Sequence, residues 1–335
     1  MKSVLLSVIF CISVLQFCFS DEKQGFLFDA YVPFDKETEA TIEKAQKWLA
    51  SNQRADGAWK YDKDTNNGVN ALCVLALMVG GSVPGEGKFG KEIALGLQYI
   101  INTQKESGLL APGELESHAP MYQHALSAIL LAEAYGMTQN PRIRKSLIEA
   151  VNLIVSSQHS RGGWRYLPKP SDGDISATVM QVMALRAASE AGIYVPSETI
   201  DRAIKFIKHC YNENEKGFGY MDGRGKAEFP RTAAGLVCLQ TVGLGNDKII
   251  PDIIEYIQKN AFVTKHGFYW YGHYYASIGM YHYGGEPWKT YYPKIKNEIM
   301  SNWGGNNPRY DNFLHTAWQI LILGVPYRYL PIYQR

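Results

Sequence analysis

Three stretches of the chain bring together residue types that do chemistry. Asp172-Gly173-Asp174-Ile175-Ser176-Ala177 sets two carboxyls two residues apart, just before a helical run. Acids so placed can divide their roles, one kept protonated as a proton donor and its neighbour ionised. The same spacing suits a plainer use, with Asp174 as N-cap of the following helix, and the cap is the favoured reading. Second, eleven of the twenty-five residues from Phe268 to Tyr292 are aromatic, with Tyr271, Tyr274 and Tyr275 flanking His273. Aromatic faces hold cations, stack on sugar rings, or simply pack helix against helix. Third, Asp311-Asn312-Phe313-Leu314-His315-Thr316 precedes Trp318. His315 with His273 would supply two imidazoles, too few for a closed zinc site. No metal and no other cofactor is expected.

Smaller groups stand at the starts of other apolar runs: Asn66, Asn67 and Asn70; His118, Tyr122 and His124; and Arg231 after Phe229-Pro230. Each has an ordinary use as a cap or hydrogen-bond partner. Gathered at one place, Tyr122, His124, Arg231, Tyr271, His273, Tyr274, Tyr275, His315 and Trp318 would line the mouth of a ligand cavity.

What must position them is a set of paired helices. Amphipathic segments alternate with segments that are apolar nearly all round. Glu37–Asn52 is followed by Asn67–Val79, and Lys91–Thr103 by Met121–Tyr135, which should stop at Gly136. Arg144–Ser157 is followed by Ser176–Ala191, and Glu198–His209 by Thr232–Val242. Ile249–Asn260 is followed by Tyr274–Tyr283, and Tyr292–Asn302 by Phe313–Leu323. A helix apolar on every side must be buried on every side. Six such hairpins recur at roughly fifty residues. The first and last are as apolar as the rest, whereas an open stack needs polar caps at its ends. The expectation is an all-α fold, an α/α toroid over residues 37–335 whose C-terminal end, with Pro326, Pro331 and three tyrosines, lies as an extended strap. Residues 21–36 read as an irregular lead-in.

Two hairpin turns read Q-x-x-x-G-x-W, as Gln53, Gly57 and Trp59 and again as Gln158, Gly162 and Trp164. A third keeps Gln104 and Gly108 but has Leu110 at the Trp position, and looser copies centre on Gly217 to Tyr220 and Gly267 to Trp270.

The remaining composition bounds the function. Residues 1–20 read as a signal peptide, with Lys2 ahead of the apolar stretch Val4 to Phe17 and a small-x-small site at Cys18-Phe19-Ser20. The chain is therefore expected to be exported, periplasmic or secreted. No later stretch is apolar for the eighteen or so residues a spanning helix needs. Formal net charge is +2 with no basic stripe, so nucleic acid is not an expected partner. Cys73, Cys210 and Cys238 are an odd number in helical segments and read as buried thiols.

On those turns and paired helices the chain resembles the prenyltransferase/squalene-oxidase repeat proteins, the superfamily of squalene–hopene cyclases and protein prenyltransferases. The resemblance spans roughly residues 37 to 325 and implies an α/α toroid with a central cavity. It implies that Gln and Trp of each turn tie one outer helix to its neighbour. Asp172 and Asp174 resemble the first two acids of the cyclase D-x-D-D-T-A motif, with Ile175 in place of the third. His315 resembles the zinc His of prenyltransferases, but Tyr271 and His273 stand where the Asp and Cys ligands would be. The expected function is binding of an apolar or isoprenoid ligand in the aromatic cavity, with conversion if Asp174 is the acid. Two alternatives stay open: an exported polysaccharide-active lyase or hydrolase with a glycan ligand, and a non-catalytic scaffold with a protein partner of unstated kind.

Overall fold

Six helices with no polar face can only be buried against one another, and a closed ring does this without leaving an apolar end. The computed structural model describes residues 35–61, 64–113, 119–169, 171–263, 268–303, 310 and 312–327. Within them the outer helices are α1 (Lys36–Ser51), α3 (Gly90–Asn102), α5 (Pro141–Ser156), α7 (Ser197–His209), α9 (Ile250–Asn260) and α11 (Gly285–Trp303). The inner helices are α2 (Asn67–Met78), α4 (Pro120–Thr138), α6 (Ile175–Glu190), α8 (Phe229–Thr241), α10 (Tyr269–Tyr283) and α12 (Phe313–Gly324). Each inner helix packs on the next, and α12 packs on α2, so the ring closes into an α/α toroid. All twelve residues of α2 are buried, whereas α1 buries only one stripe, Thr38, Thr41, Ile42, Ala45, Gln46 and Leu49. Two short antiparallel ribbons, β1–β2 (Lys60–Tyr61, Asp64–Thr65) and β3–β4 (Tyr211–Asn212, Gly217–Phe218), decorate the turns. No described helix is long and apolar enough to cross a membrane. The signal-peptide reading, His118, Gly267, Asp311 and most of the proposed strap lie outside the described residues.

The turns are held by a repeated amide. Gln53 Nε2 donates to Gly57 O and to Glu92 O, both at 2.9 Å. Gln104 donates likewise to Gly108 O and Ser146 O at 3.0 Å, and Gln158 to Gly162 O and Thr199 O at 2.9 Å. One side chain thus closes its own turn and grips the start of the next outer helix, satisfying carbonyls at both. The indoles tie each turn back to its own outer helix rather than to the neighbouring one: Trp59 Nε1 donates to Leu49 O at 2.9 Å and Trp164 Nε1 to Ile154 O at 2.8 Å.

From the second hairpin to the fourth the repeat is regular at 54 residues, tighter than the rough fifty expected. Gln104, Gln158 and Asn212 keep that interval, as do Gly108, Gly162 and Lys216, and Leu110, Trp164 and Phe218. Lys216 adopts φ +62°, the left-handed conformation its glycine counterparts hold. Asn70, His124, Thr178 and Thr232 follow at 54 also, and each accepts the backbone N–H of Trp59, Leu110, Trp164 or Phe218 at 2.9–3.1 Å.

Five helix boundaries differ from expectation by three residues or more, α5 and α8 each beginning three residues early at Pro141 and Phe229. α4 runs through Gly136 to Thr138, because the left-handed stop is supplied by Gln139 at φ +52°. α10 starts at Tyr269, so the aromatic run lies inside the helix rather than in its approach. α11 starts at Gly285 and continues through Pro293, its burial of Trp288, Tyr291 and Tyr292 outweighing one lost helical bond.

The glycine of the turn carries a checkable constraint. A Cβ at Gly162 (φ +96°) would sit 2.1 Å from Arg202 O, whereas one at Gly192 (φ +83°) meets nothing within 4 Å. Gly162→Ala is expected to cost about 3 kcal/mol or more, Gly192→Ala only about 1 kcal/mol of conformational strain. Urea unfolding of the two variants measures the difference, and equal losses would show that turn-to-helix contact is not what requires glycine.

Candidate functional site: an aromatic cavity at the inner-helix mouth

The N-terminal ends of successive inner helices meet around a cavity of about 370 Å³. Its walls repeat one structural position. Tyr122 of α4, Ser176 of α6 and Pro230 of α8 stand 54 residues apart, and Tyr271 of α10 continues the arc. Tyr166 and Tyr220, also 54 apart, come from the preceding turns, and Met180, Glu228, Arg231 and Phe268 complete the lining.

Arg231 is the fixed charge. Its Nη1 lies 3.0 Å from Glu228 Oε2, its Nη2 donates to Lys226 O at 2.9 Å, and its guanidinium lies 5.5 Å from the Tyr220 ring centroid. Tyr220 and Tyr166 share a hydroxyl–hydroxyl hydrogen bond, and Tyr166 stands 6.0 Å from Tyr122 between ring centroids. Burial is the main force raising the Tyr122, Tyr220 and Tyr271 hydroxyls above the ordinary phenol range. These phenols stay protonated at neutral pH, so they donate hydrogen bonds and offer ring faces.

The acid pair splits. Asp172 Oδ2 lies 2.6 Å from Arg165 Nη1 and its Oδ1 3.3 Å from Arg161 Nη2. Burial pushes its carboxyl up, but the Gly173 N–H and the arginines outweigh that and hold it below the usual range. Asp174 is fully buried as the N-cap of α6, Oδ1 accepting the Ala177 N–H at 2.9 Å. Its backbone N–H donates to Trp164 O at 2.9 Å. Oδ2 makes no hydrogen bond of ordinary geometry among the described residues, the Tyr220 hydroxyl being a neighbouring donor. Burial raises its carboxyl despite the opposing Ala177 N–H and Arg165. Neither aspartate lines the cavity; Asp174 lies behind its wall.

Of the residues expected at a cavity, Tyr122, Arg231 and Tyr271 line this one, and six others lie elsewhere. His124 is fully buried, its Nδ1 accepting the Leu110 N–H at 3.1 Å and its Nε2 3.2 Å from Ala150 O. His273 Nδ1 pairs with Tyr291 Oη at 2.7 Å inside a box of Phe229, Phe262 and Tyr269. Tyr274, Tyr275 and Trp318 pack on one another: Tyr274 lies 5.1 Å from Tyr275 and 4.6 Å from Trp318 between ring centroids, and all three are buried. His315 sits in the first turn of α12, its N–H capped by Asn312. Tyr166, Met180 and Glu228 also line the cavity though they stand in no motif, and Tyr220, Ser176 and Phe268 stand in motifs that do not mark them as lining. The 54-residue interval would have found Tyr166 from Tyr220 and Ser176 from Tyr122.

The depth of His124 has a pH consequence. Burial lowers its pKa to about 4, while an unfolded histidine titrates near 6.5. Stability tied to the neutral ring is fully present above about pH 6.5 and is lost as pH falls toward 4. Asn70 does the same job in the first repeat, so His124→Asn keeps an acceptor for Leu110. That variant is expected to show a flatter stability-versus-pH curve between pH 6.5 and 4; an unchanged slope would remove His124 as the acid-sensitive group.

No family model matches the chain, and no curated protein does. Solved structures share the fold. An inactive α-1,6-mannanase variant of Salegentibacter sp. HEL1_6, in complex with α-1,6-mannotriose, is 8% identical with a TM-score of 0.64, covering 87% of this chain and 99% of that one. Cellobiose 2-epimerase from Bacillus thermoamylovorans is 13% identical with a TM-score of 0.62, over 90% and 99%. A glycoside hydrolase family 76 mannosidase from Bacteroides thetaiotaomicron is 12% identical with a TM-score of 0.57, over 86% and 97%. At these identities the likeness is one of architecture, the α/α toroid, and the squalene-cyclase resemblance is not narrowed to a family.

Proposed function

We propose that the chain binds a glycan in the cavity at the inner-helix mouth. The observation that carries this reading is the lining itself: tyrosine faces and hydroxyls beside one guanidinium already fixed by Glu228, Lys226 and Tyr220. Sugars present apolar ring faces and a rim of hydroxyls, and this wall offers stacking and hydrogen bonds at once. Neighbours of the same architecture bind or act on carbohydrate, which supports the reading. The N-terminal signal-like stretch supports an exported protein that meets its glycan outside the cytoplasm.

The isoprenoid reading loses its ground in two places. Tyr274, Tyr275 and Trp318 are buried in packing against one another, and Asp174 Oδ1 caps α6. A tyrosine-based elimination is disfavoured too, because burial holds Tyr122, Tyr220 and Tyr271 protonated. Mannanase chemistry does not carry over simply either. The substitutions in that inactive variant fall on two successive aspartates, and this chain has no two adjacent Asp residues.

Thermal melts against α-1,6-manno-oligosaccharides, cello-oligosaccharides and solubilised isoprenoids test the proposal, since a ligand of the folded state raises Tm. Glycans should raise it, and Tyr122→Ala or Arg231→Ala should weaken binding about tenfold. A shift with isoprenoids alone would overturn the reading. Asp174→Asn should leave fold and binding intact, because Asn caps as well as Asp, whereas Asp174→Ala should cost about 1 kcal/mol. Turnover of a glycan that Asp174→Asn abolishes in a stable protein would assign the acid a chemical role.

A further inference from the structure

The arginines around the mouth each face a carboxylate. Arg231 faces Glu228 at 3.0 Å, Arg165 faces Asp172 at 2.6 Å, and Arg161 adds a weaker contact at 3.3 Å. A ligand carrying carboxylates or sulfates would have to break or share these pairs, giving up about as much as it gained. An uncharged ligand takes the Arg231–Glu228 pair as it stands: the guanidinium donates to hydroxyl oxygens and the half-exposed carboxylate accepts from hydroxyl protons. Arg231 Nε is buried and makes no hydrogen bond among the described residues, so the guanidinium reaches a ligand only through its Nη groups.

The lining also has two storeys. Tyr122, Tyr220 and Tyr271 are partly buried, whereas Phe268 is 69% exposed and Tyr166 38% exposed, yet both line the same cavity. Phe268 is the largest apolar surface at the rim and marks where a ligand leaves the pocket. A single sugar would be satisfied by the inner storey. A chain of sugars would continue over the outer one.

Resting on the glycan reading, we propose that the site takes an uncharged oligosaccharide, one ring held inside among Tyr122, Tyr220 and Tyr271 and the next stacked outside on Phe268. Phe268 is then a length-sensing contact, separate from the groups that hold the first ring.

Calorimetry of the wild-type protein and Phe268→Ala tests this, with mannose, α-1,6-mannobiose and α-1,6-mannotriose, the cello-series, and oligogalacturonate as the charged control. Wild type should prefer disaccharide over monosaccharide by about threefold to tenfold, the reach of one aromatic face. Phe268→Ala should erase that preference, its affinity for disaccharide and trisaccharide falling to that for the monosaccharide; far-ultraviolet circular dichroism checks that it is folded. A preference that survives in Phe268→Ala, or a monosaccharide bound as tightly as the longer sugars, overturns the outer subsite. Oligogalacturonate bound more tightly than the neutral series, with affinity falling as salt rises, overturns the uncharged ligand while keeping the glycan reading. No binding of any sugar, with Tyr122→Ala melting as wild type under every ligand, sinks the glycan reading and this proposal with it.

Discussion

A primary amide that donates twice holds this ring together. Each of Gln53, Gln104 and Gln158 uses its two N–H groups on the carbonyl of its own turn glycine and on a carbonyl at the start of the next outer helix. A hydroxyl could give one such bond and a carboxylate none. The contact fixes the angle at three of the six junctions between hairpins, whereas Asn212, the equivalent residue of the fourth, donates to Gly225 O instead. Glycine follows from the same demand, because the turn backbone must come so near the next helix that no Cβ fits. At the seam of the ring an ion pair serves instead, Lys296 of α11 meeting Asp35, the N-cap of α1.

Closure explains why a cavity forms where it does. Setting every hairpin at a similar angle brings the first turns of the inner helices to one face. Position 122 and its equivalents at 176 and 230 therefore point at a common space. The cavity is lined by side chains that those first turns and the preceding loops carry, with Met180 one turn deeper in α6.

Much of the architecture was legible, because burial on all sides leaves a strong mark: no polar face survives in Ala71 to Leu77. The Gln–Gly–Trp turns were legible because Gln and Gly recur together at 53/57, 104/108 and 158/162, where the amide bonds two carbonyls and the glycine leaves room for the next helix. The site was less so. Asn70, His124, Thr178 and Thr232 share one task, accepting a turn N–H, and any acceptor of suitable reach will do it. His124 thus carries the residue type of chemistry and the role of a peg. The density of rings from Phe268 to Tyr292 misled in the opposite direction, since aromatic packing fills space as readily as it lines it. Tyr274, Tyr275 and Trp318 are the filling. The lining had to be read from equivalence between repeats, which residue type alone conceals: tyrosine, serine and proline hold the same place in turn.

That equivalence also accounts for the cavity's lateral position. The first repeat has Gly68 where the next three have Tyr122, Ser176 and Pro230. A Cβ there would already lie 3.0 Å from Asn66 Oδ1 and 3.3 Å from Gln123 Cα, so α2 and α4 are packed too tightly for a wall residue. The first repeat is closed by its own caps, Asn66 accepting from the Gly68 and Val69 N–H groups and Asn67 reaching Thr103 and Leu110. Walls are left to α4, α6, α8 and α10, and the cavity sits against that arc of the ring rather than on its axis. A pocket set to one side in this way presents a wall of rings and a rim that opens outward over Phe268.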